Sequence, residues 1–201
     1  MNIPFQSVLT NIKDIKERNK AFDELSDEDK RKEIAFDSLG LILVEESMQA
    51  KGGDYWGTLE GAVKQTETSE ELQNFLLTAP KCEVCARGAI MMSQIRLGNS
   101  IGLKNNYYYD IEKGANQRLL KGFTVDTMDN MEQEFEGWVK AEPGNPWGDR
   151  VQIKDYESGC RQPYASGSNE KLVNILCNII TNGDFVPEDD TDYLTKYSIE
   201  L

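Results

Sequence analysis

Four cysteines are the residues of this chain best suited to chemistry: Cys82, Cys85, Cys160 and Cys177. Cys82 and Cys85 form a Cys-x-x-Cys motif, a spacing that can hold zinc or serve as a redox pair. Cys160 and Cys177 would complete a four-thiolate zinc site, although the chain has no second Cys-x-x-Cys motif. A zinc-stabilised domain is therefore one hypothesis for this protein.

The apolar surroundings of these thiols favour another interpretation. A helix predicted over residues 81–97 places Cys82, Cys85 and Ala89 on one stripe, and Cys177 lies in a segment rich in Leu and Ile. A free cysteine in such a setting behaves as a small hydrophobic residue. We therefore expect buried structural thiols and no cofactor, with zinc as the alternative.

The absence of histidine excludes several classes of enzyme. Without an imidazole the chain cannot use Ser-His-Asp or Cys-His catalysis, and it has no HExxH zinc site. Its sequence also contains no Walker A motif and no GxGxxG motif. We therefore expect a protein that is not an enzyme.

Negative charge dominates the chain, with 35 Asp and Glu against 22 Lys and Arg, a net charge of −13. Residues 126–142 and 184–201 each hold six acids and one base. Repulsion from phosphates disfavours binding to nucleic acid or to an anionic membrane. If the two segments are adjacent they form a surface for a basic protein partner or for self-assembly, or one that mimics a nucleic-acid backbone; the alternative is that they serve solubility alone.

Aromatic residues in irregular segments add to the candidate binding surface, because interfaces favour Tyr and Trp. The candidate binding residues are Asp126, Asp129, Glu136, Trp147, Tyr156, Tyr164, Asp189 and Asp190. The irregular segment 141–169 supports a different hypothesis, in which Arg150, Arg161 and Tyr164 hold a small anion. Arg87 and Arg96 lie in an apolar helix, and we expect each to form a structural ion pair with a carboxylate.

Periodicity and capping residues predict a mainly α fold: a single-domain bundle of five or six helices, with long irregular loops and room for a small β-hairpin. Its central helices are expected over residues 34–48, 81–97 and 170–181. Other predicted helices cover residues 5–25, 68–78 and 124–142, and a short strand is predicted at 150–154. Ser26 is a predicted N-cap, Thr68 and Glu71 a capping box, and Asn182-Gly183 a helix end. The domain divides into a helical pair (1–51), a core (52–186) and an acidic tail (187–201).

Nothing in the sequence predicts export or insertion into a membrane. The first residues lack a charged region followed by an apolar run, and the most apolar stretch, residues 39–44, is too short to span a bilayer. We therefore expect a cytoplasmic protein.

The start of the helix predicted over residues 81–97 has a recognisable sequence pattern. The pattern Cys82-x-x-Cys85-Ala86-x-Gly88-Ala89 resembles a group of small uncharacterised proteins from bacteria and tailed phages. Three further patterns are similar: Tyr55-Trp56-Gly57, Phe135-Glu136-Gly137 and Asn182-Gly183-Asp184-Phe185. That group has no established activity, so the resemblance transfers no catalytic residue. It implies a bacteriophage or mobile-element setting, and a location in the host cytoplasm or in a virion.

Overall fold

The computed structural model describes residues 5–52, 68–98, 121–136, 138–140, 150–152 and 167–187. These ranges contain six helices and four short strands. The elements are α1 (Ile15–Glu24), α2 (Asp27–Leu43), β1 (Met48–Ala50), α3 (Ser69–Leu77), β2 (Cys82–Val84), α4 (Ala86–Gly98), α5 (Val125–Glu136), β3 (Trp138–Lys140), β4 (Arg150–Gln152) and α6 (Asn169–Asn182).

Three helices form the centre of the fold, as the sequence predicted. Helix α2 packs against both α4 and α6, and α4 also contacts α1, α3 and α5. All 13 residues of α4 are buried, and eight of the 14 residues of α6 are buried, six of them Leu, Ile or Val. Burial of this apolar surface is the main force that holds the bundle together. The mainly α prediction is therefore confirmed.

Side-chain caps fix the ends of several helices. Ser26 Oγ accepts a hydrogen bond from the Asp29 amide at 3.1 Å, and Thr68 and Glu71 form a reciprocal capping box. Gly183 ends α6 in the left-handed conformation, with φ of 79°. These bonds satisfy amides and carbonyls that have no partner within the helix, and all three caps were predicted correctly.

The first helix begins ten residues later than predicted, at Ile15 rather than Phe5. Ser7 Oγ accepts hydrogen bonds from the amides of Leu9 and Thr10, which gives the backbone there a partner other than a helix. Asp14 then caps α1 through the Glu17 amide. The segment before α1 is therefore an irregular strap whose Leu9 side chain is buried in the core.

Two short parallel strands are found where the sequence predicted parts of two helices. Helix α2 ends at Leu43, although helix was predicted as far as residue 48, and the helix predicted over residues 81–97 begins only at Ala86. Met48–Ala50 pairs with Cys82–Val84 in parallel, and the Cys82 amide donates to Ser47 O at 2.8 Å. The prediction that Cys82 and Cys85 share a helical stripe was therefore wrong, because Cys82 lies in a strand.

A second strand pair follows α5. That helix ends at Glu136, earlier than predicted, and β3 pairs antiparallel with β4, Val139 opposite Val151. Strand β4 lies within the predicted strand at 150–154. Met128, Met131 and Phe135 are buried, as their helical spacing predicted, whereas Trp138 belongs to β3.

A left-handed residue closes the turn after α2. Glu46 has φ of 49°, and the Ser47 amide donates to Leu41 O at 2.9 Å across it. Glycine is the residue commonly found in this conformation, and any side chain with a Cβ there costs about 1 kcal/mol. Glu46 therefore occupies a position whose backbone conformation is typical of glycine.

Within the described ranges, none of the helices combines the length and the apolar character needed to cross a membrane.

Candidate functional site

Arg31 of α2 contacts the chain near the starts of both acidic segments, residues 126–142 and 184–201. Its Nε donates to Gly183 O at 2.6 Å and lies 3.6 Å from a carboxylate oxygen of Asp184. Its Nη1 donates to Gly122 O, in the turn that leads into α5. One guanidinium thus holds the end of α6 beside the start of α5.

The first turn of α2 lies directly against both of these turns. A Cβ on Gly122 would come within 2.8 Å of Asp27 O, and one on Gly183 would come within 2.7 Å of the Glu28 carboxylate carbon. Both glycines also have positive φ angles, 87° and 79°. Three chain segments can therefore meet here only because two of the closest residues lack a side chain.

Five carboxylates lie on the three chain segments that meet here, the first turn of α2, the start of α5 and the residues just after α6. We call Asp27, Glu28, Asp29, Asp126 and Asp184 the acidic face; the first four are exposed and Asp184 is partly so. Glu28 pairs with Lys32, and Asp184 pairs with Arg31. Among the described residues no Lys or Arg forms an ion pair with the other three. The acidic face can therefore attract positive charge from solution.

The predicted binding residues have different outcomes. Asp126 is exposed in the first turn of α5. Asp129 and Glu136 lie on the same helix, but their side chains are outside the described part of the structure, as are residues Trp147, Tyr156, Tyr164, Asp189 and Asp190. Sequence reasoning missed Arg31 and the first turn of α2, because no local pattern shows which distant carbonyls an arginine reaches.

The three described cysteines, Cys82, Cys85 and Cys177, are buried, as predicted. Cys82 Sγ lies 3.8 Å from Met92 Sδ, and Cys85 Sγ accepts a hydrogen bond from the Gly88 amide at 3.4 Å. Cys85 therefore caps the start of α4, while Cys177 is fully buried in α6. Cys82 and Cys85 therefore have structural contacts, and Cys177 is part of the apolar core.

The zinc hypothesis stays a prediction. In the part of the chain that the structure describes, no three His, Cys, Asp or Glu side chains lie close enough together to hold a metal ion. Cys160, the fourth proposed ligand, lies outside the described residues. The anion-binding hypothesis also stays a prediction. Arg161 and Tyr164 lie outside the described residues, and only the backbone of Arg150 is described.

Burial should make Cys82 unreactive, because burial raises the pKa of its thiol to about 11. Only the thiolate reacts with alkylating agents, so we expect iodoacetamide to modify Cys82 about a hundredfold more slowly in the folded protein than in urea. Peptide mapping by mass spectrometry after timed labelling measures each cysteine separately. Equal rates in the folded and unfolded protein would contradict the buried-thiol assignment.

Both buried arginines of α4 have carboxylate partners, as predicted. Arg87 Nη2 lies 2.6 Å from Glu132 Oε2 on α5. Arg96 Nε lies 3.0 Å from Asp37 Oδ2 on α2, and its Nη1 donates to Leu76 O at 2.6 Å. These pairs join neighbouring helices.

Arg96 is also the centre of a larger polar network. Its carbonyl accepts from Arg18 Nη2 at 3.0 Å and from Gln73 Nε2 at 3.1 Å. Burial lowers the pKa of Arg18, an effect that nearby Asp37 opposes and Arg96 reinforces. Arg18, Asp37, Gln73 and Arg96, which we call the arginine hub, come from α1, α2, α3 and α4 respectively.

A buried carboxylate holds the N-terminal strap. Glu33 of α2 is 3% exposed and accepts hydrogen bonds from Ser7 Oγ at 2.6 Å and from the Val8 amide at 2.7 Å. Burial raises the pKa of Glu33, and although these hydrogen bonds oppose the shift, the net direction is upward. Folding therefore favours the protonated carboxyl, so this group stabilises the fold at low pH and loses that contribution as pH rises.

Replacing this carboxylate with its neutral isostere should reveal that pH dependence. We expect the free energy of unfolding of Glu33→Gln, minus that of the natural chain, to increase as pH rises above the ordinary value of 4.5. The increase should be about 1.4 kcal/mol for each unit by which folding raises the pKa. Urea unfolding at several pH values measures it, with Glu24→Gln as an exposed control. A difference that stays constant with pH would show that burial does not perturb Glu33.

Comparison of the chain with protein-family models, with curated proteins and with solved structures finds no match. The resemblance to phage proteins therefore stays a prediction.

Proposed function

We propose that this chain is a non-enzymatic protein-binding protein whose acidic face attracts a basic surface of its partner. The observation that carries the proposal is the convergence at Arg31, where one side chain bonds to Gly122 O and Gly183 O. The two acidic segments thus begin side by side instead of on separate parts of the surface. Adjacency is the condition under which their charges would act together on one partner.

The chain carries further negative charge after the residues of the acidic face. Residues 188–201, which follow α6, contain five further acids and one base. Fields of this kind raise association rates with oppositely charged proteins and repel partners of like charge. A basic protein is therefore the partner class that the charge supports, and nucleic acid is the class that it opposes.

The resemblance stated above supports a biological setting for the proposal. In a phage or mobile element, such a protein would act as an accessory factor, a virion component or an inhibitor of a host factor. It would work in the host cytoplasm or in the virion. Self-assembly of the chain is the other form of protein binding that the proposal includes.

The proposal is tested by measuring how much partner protein is captured by two variants that have the same net charge. The face variant carries Asp27→Asn, Asp126→Asn and Asp184→Asn, and the control carries Glu24→Gln, Glu70→Gln and Glu170→Gln. Each changes the net charge from −13 to −10. The three control acids are exposed and lie on α1, α3 and the start of α6. Each immobilised chain is exposed to extract from the cells that naturally carry the gene, and bound proteins are quantified by mass spectrometry.

The expected result is a basic partner whose retention falls about tenfold with the face variant and also falls with added salt. The control variant should retain that partner as well as the natural chain does. Equal losses in both variants would show that only overall charge matters. Retention by the face variant at the natural level would refute the proposed role of the acidic face.

A further inference from the structure

The end of α2 exposes two adjacent apolar side chains. Leu43 is 44% exposed and Val44 is 64% exposed. The other large apolar side chains that are exposed among the described residues, Val8 and Val186, stand singly on other segments. Single exposed apolar residues are ordinary on protein surfaces, so two in succession at one helix end distinguish this place from the rest of the described surface.

Two carboxylate residues follow this apolar pair in the chain. Glu45 is 46% exposed at its side chain, with one oxygen 3.8 Å from Arg96 Nη2. Arg96 forms its shorter ion pair with Asp37, at 3.0 Å, so Glu45 is only loosely neutralised. Glu46 is exposed and occupies the left-handed position after α2. Proteins accept such a local conformational cost most often at functional positions.

Helix ends add negative potential at the same place. Arg96 donates to Leu76 O of α3 at 2.6 Å while it also lies near Glu45, so the carboxyl ends of α2 and α3 are neighbours. The last carbonyls of a helix carry a partial negative charge and favour cations. The apolar pair is therefore bordered by both formal and partial negative charge.

We infer that Leu43, Val44, Glu45 and Glu46 form a docking surface for a segment of a partner protein that presents apolar side chains beside Lys or Arg. Charge complementarity selects this occupant: the apolar residues supply contact area and the carboxylates select for basic flanks. The surface lies at the opposite end of α2 from the acidic face, about 25 Å away along the helix. Its test is therefore independent of the proposed function.

Nuclear magnetic resonance of the full 15N-labelled chain tests this inference with defined probes. A short synthetic peptide of Leu and Lys is titrated at constant salt, alongside a Leu–Glu peptide and a Ser–Lys peptide of equal length. Saturable chemical-shift changes centred on residues 43–46 and 77–79 are expected with the Leu–Lys peptide alone. Absence of shifts at residues 43–46 with the Leu–Lys peptide, or equally large shifts there with the Ser–Lys peptide, would overturn the inference. Shifts at the acidic face with either Lys peptide would instead support the proposed function.

Two substitutions sharpen the test, with a matched control elsewhere. Val44→Ser should weaken binding of the Leu–Lys peptide about tenfold. The control Val8→Ser, which removes a side chain of similar exposure (60%), should leave the affinity unchanged. Glu46→Gly should raise the temperature of unfolding while it also weakens binding, a combination that a purely structural role would not produce. Unchanged affinity in Val44→Ser, or a dimer of the chain that this substitution abolishes, would refute a basic partner segment as the occupant.

Discussion

Replacing Asp37 with alanine is expected to destabilise the protein by about 3–5 kcal/mol, because it leaves buried positive charge without its carboxylate. Asp37 lies 3.0 Å from Arg96 Nε, and its side chain is 17% exposed. It also faces Arg18, whose charge is unfavourable beside that of Arg96. Without Asp37 the two guanidiniums of the arginine hub repel each other in a partly desolvated space. Since the hub joins four helices, we expect cooperative loss of the fold.

Urea unfolding of Asp37→Ala and Asp23→Ala provides a matched comparison. Asp23 also pairs with a cation, Lys121, but its side chain is 51% exposed. Exposed ion pairs contribute little, so Asp23→Ala should cost less than about 1 kcal/mol. If the two substitutions cost the same, the arginine hub does not stabilise the fold as we describe.

Gly98→Ala is expected to destabilise the protein by about 1–3 kcal/mol through overpacking. A Cβ on Gly98, the last residue of α4, would lie 2.3 Å from Phe22 Cδ1 and 2.6 Å from Cε1. Phe22 of α1 is fully buried, so its ring cannot move aside without disturbing the core. The close approach of α1 and α4 thus requires a residue without a side chain.

A control and a rescue separate this effect from the general effect of glycine in a helix. Gly40, inside α2, has no atom within 4 Å of its ideal Cβ position. Gly40→Ala should therefore stabilise the protein by about 0.5–1 kcal/mol. Phe22→Leu combined with Gly98→Ala should cost less than the sum of the two single changes, because the smaller side chain relieves the clash. Additive costs in this double-mutant cycle would contradict the contact.

Helix caps and buried helix faces could be predicted from the sequence because both depend on residues that are close together in the chain. Ser26, Thr68 and Gly183 act where their side chains or conformations predicted, and the buried face of α5 follows from the spacing of Met128, Met131 and Phe135. Local interactions need only a few neighbouring residues, so a short window of sequence contains the information. The central position of α2, α4 and α6 follows from the same apolar patterns.

The misassigned segments depend on distant partners. Strands β1 and β2 have three residues each and pair across 34 positions of chain, so neither has a period of its own to recognise. The strap before α1 is held by Glu33, more than 20 residues away. Arg31 likewise reaches Gly183 across 152 positions. Contacts at such separations are set by the packing of the whole bundle, which no local pattern reports.

The most direct test of the proposed function is the affinity of the captured partner for Arg31→Gln. This change makes the chain more negative, from −13 to −14, but removes the hydrogen bonds that hold the two acidic segments together. We predict that Arg31→Gln binds the partner about tenfold more weakly while circular dichroism shows that the variant is folded. Equal or tighter binding would show that net charge alone attracts the partner, and would contradict the role we assign to Arg31.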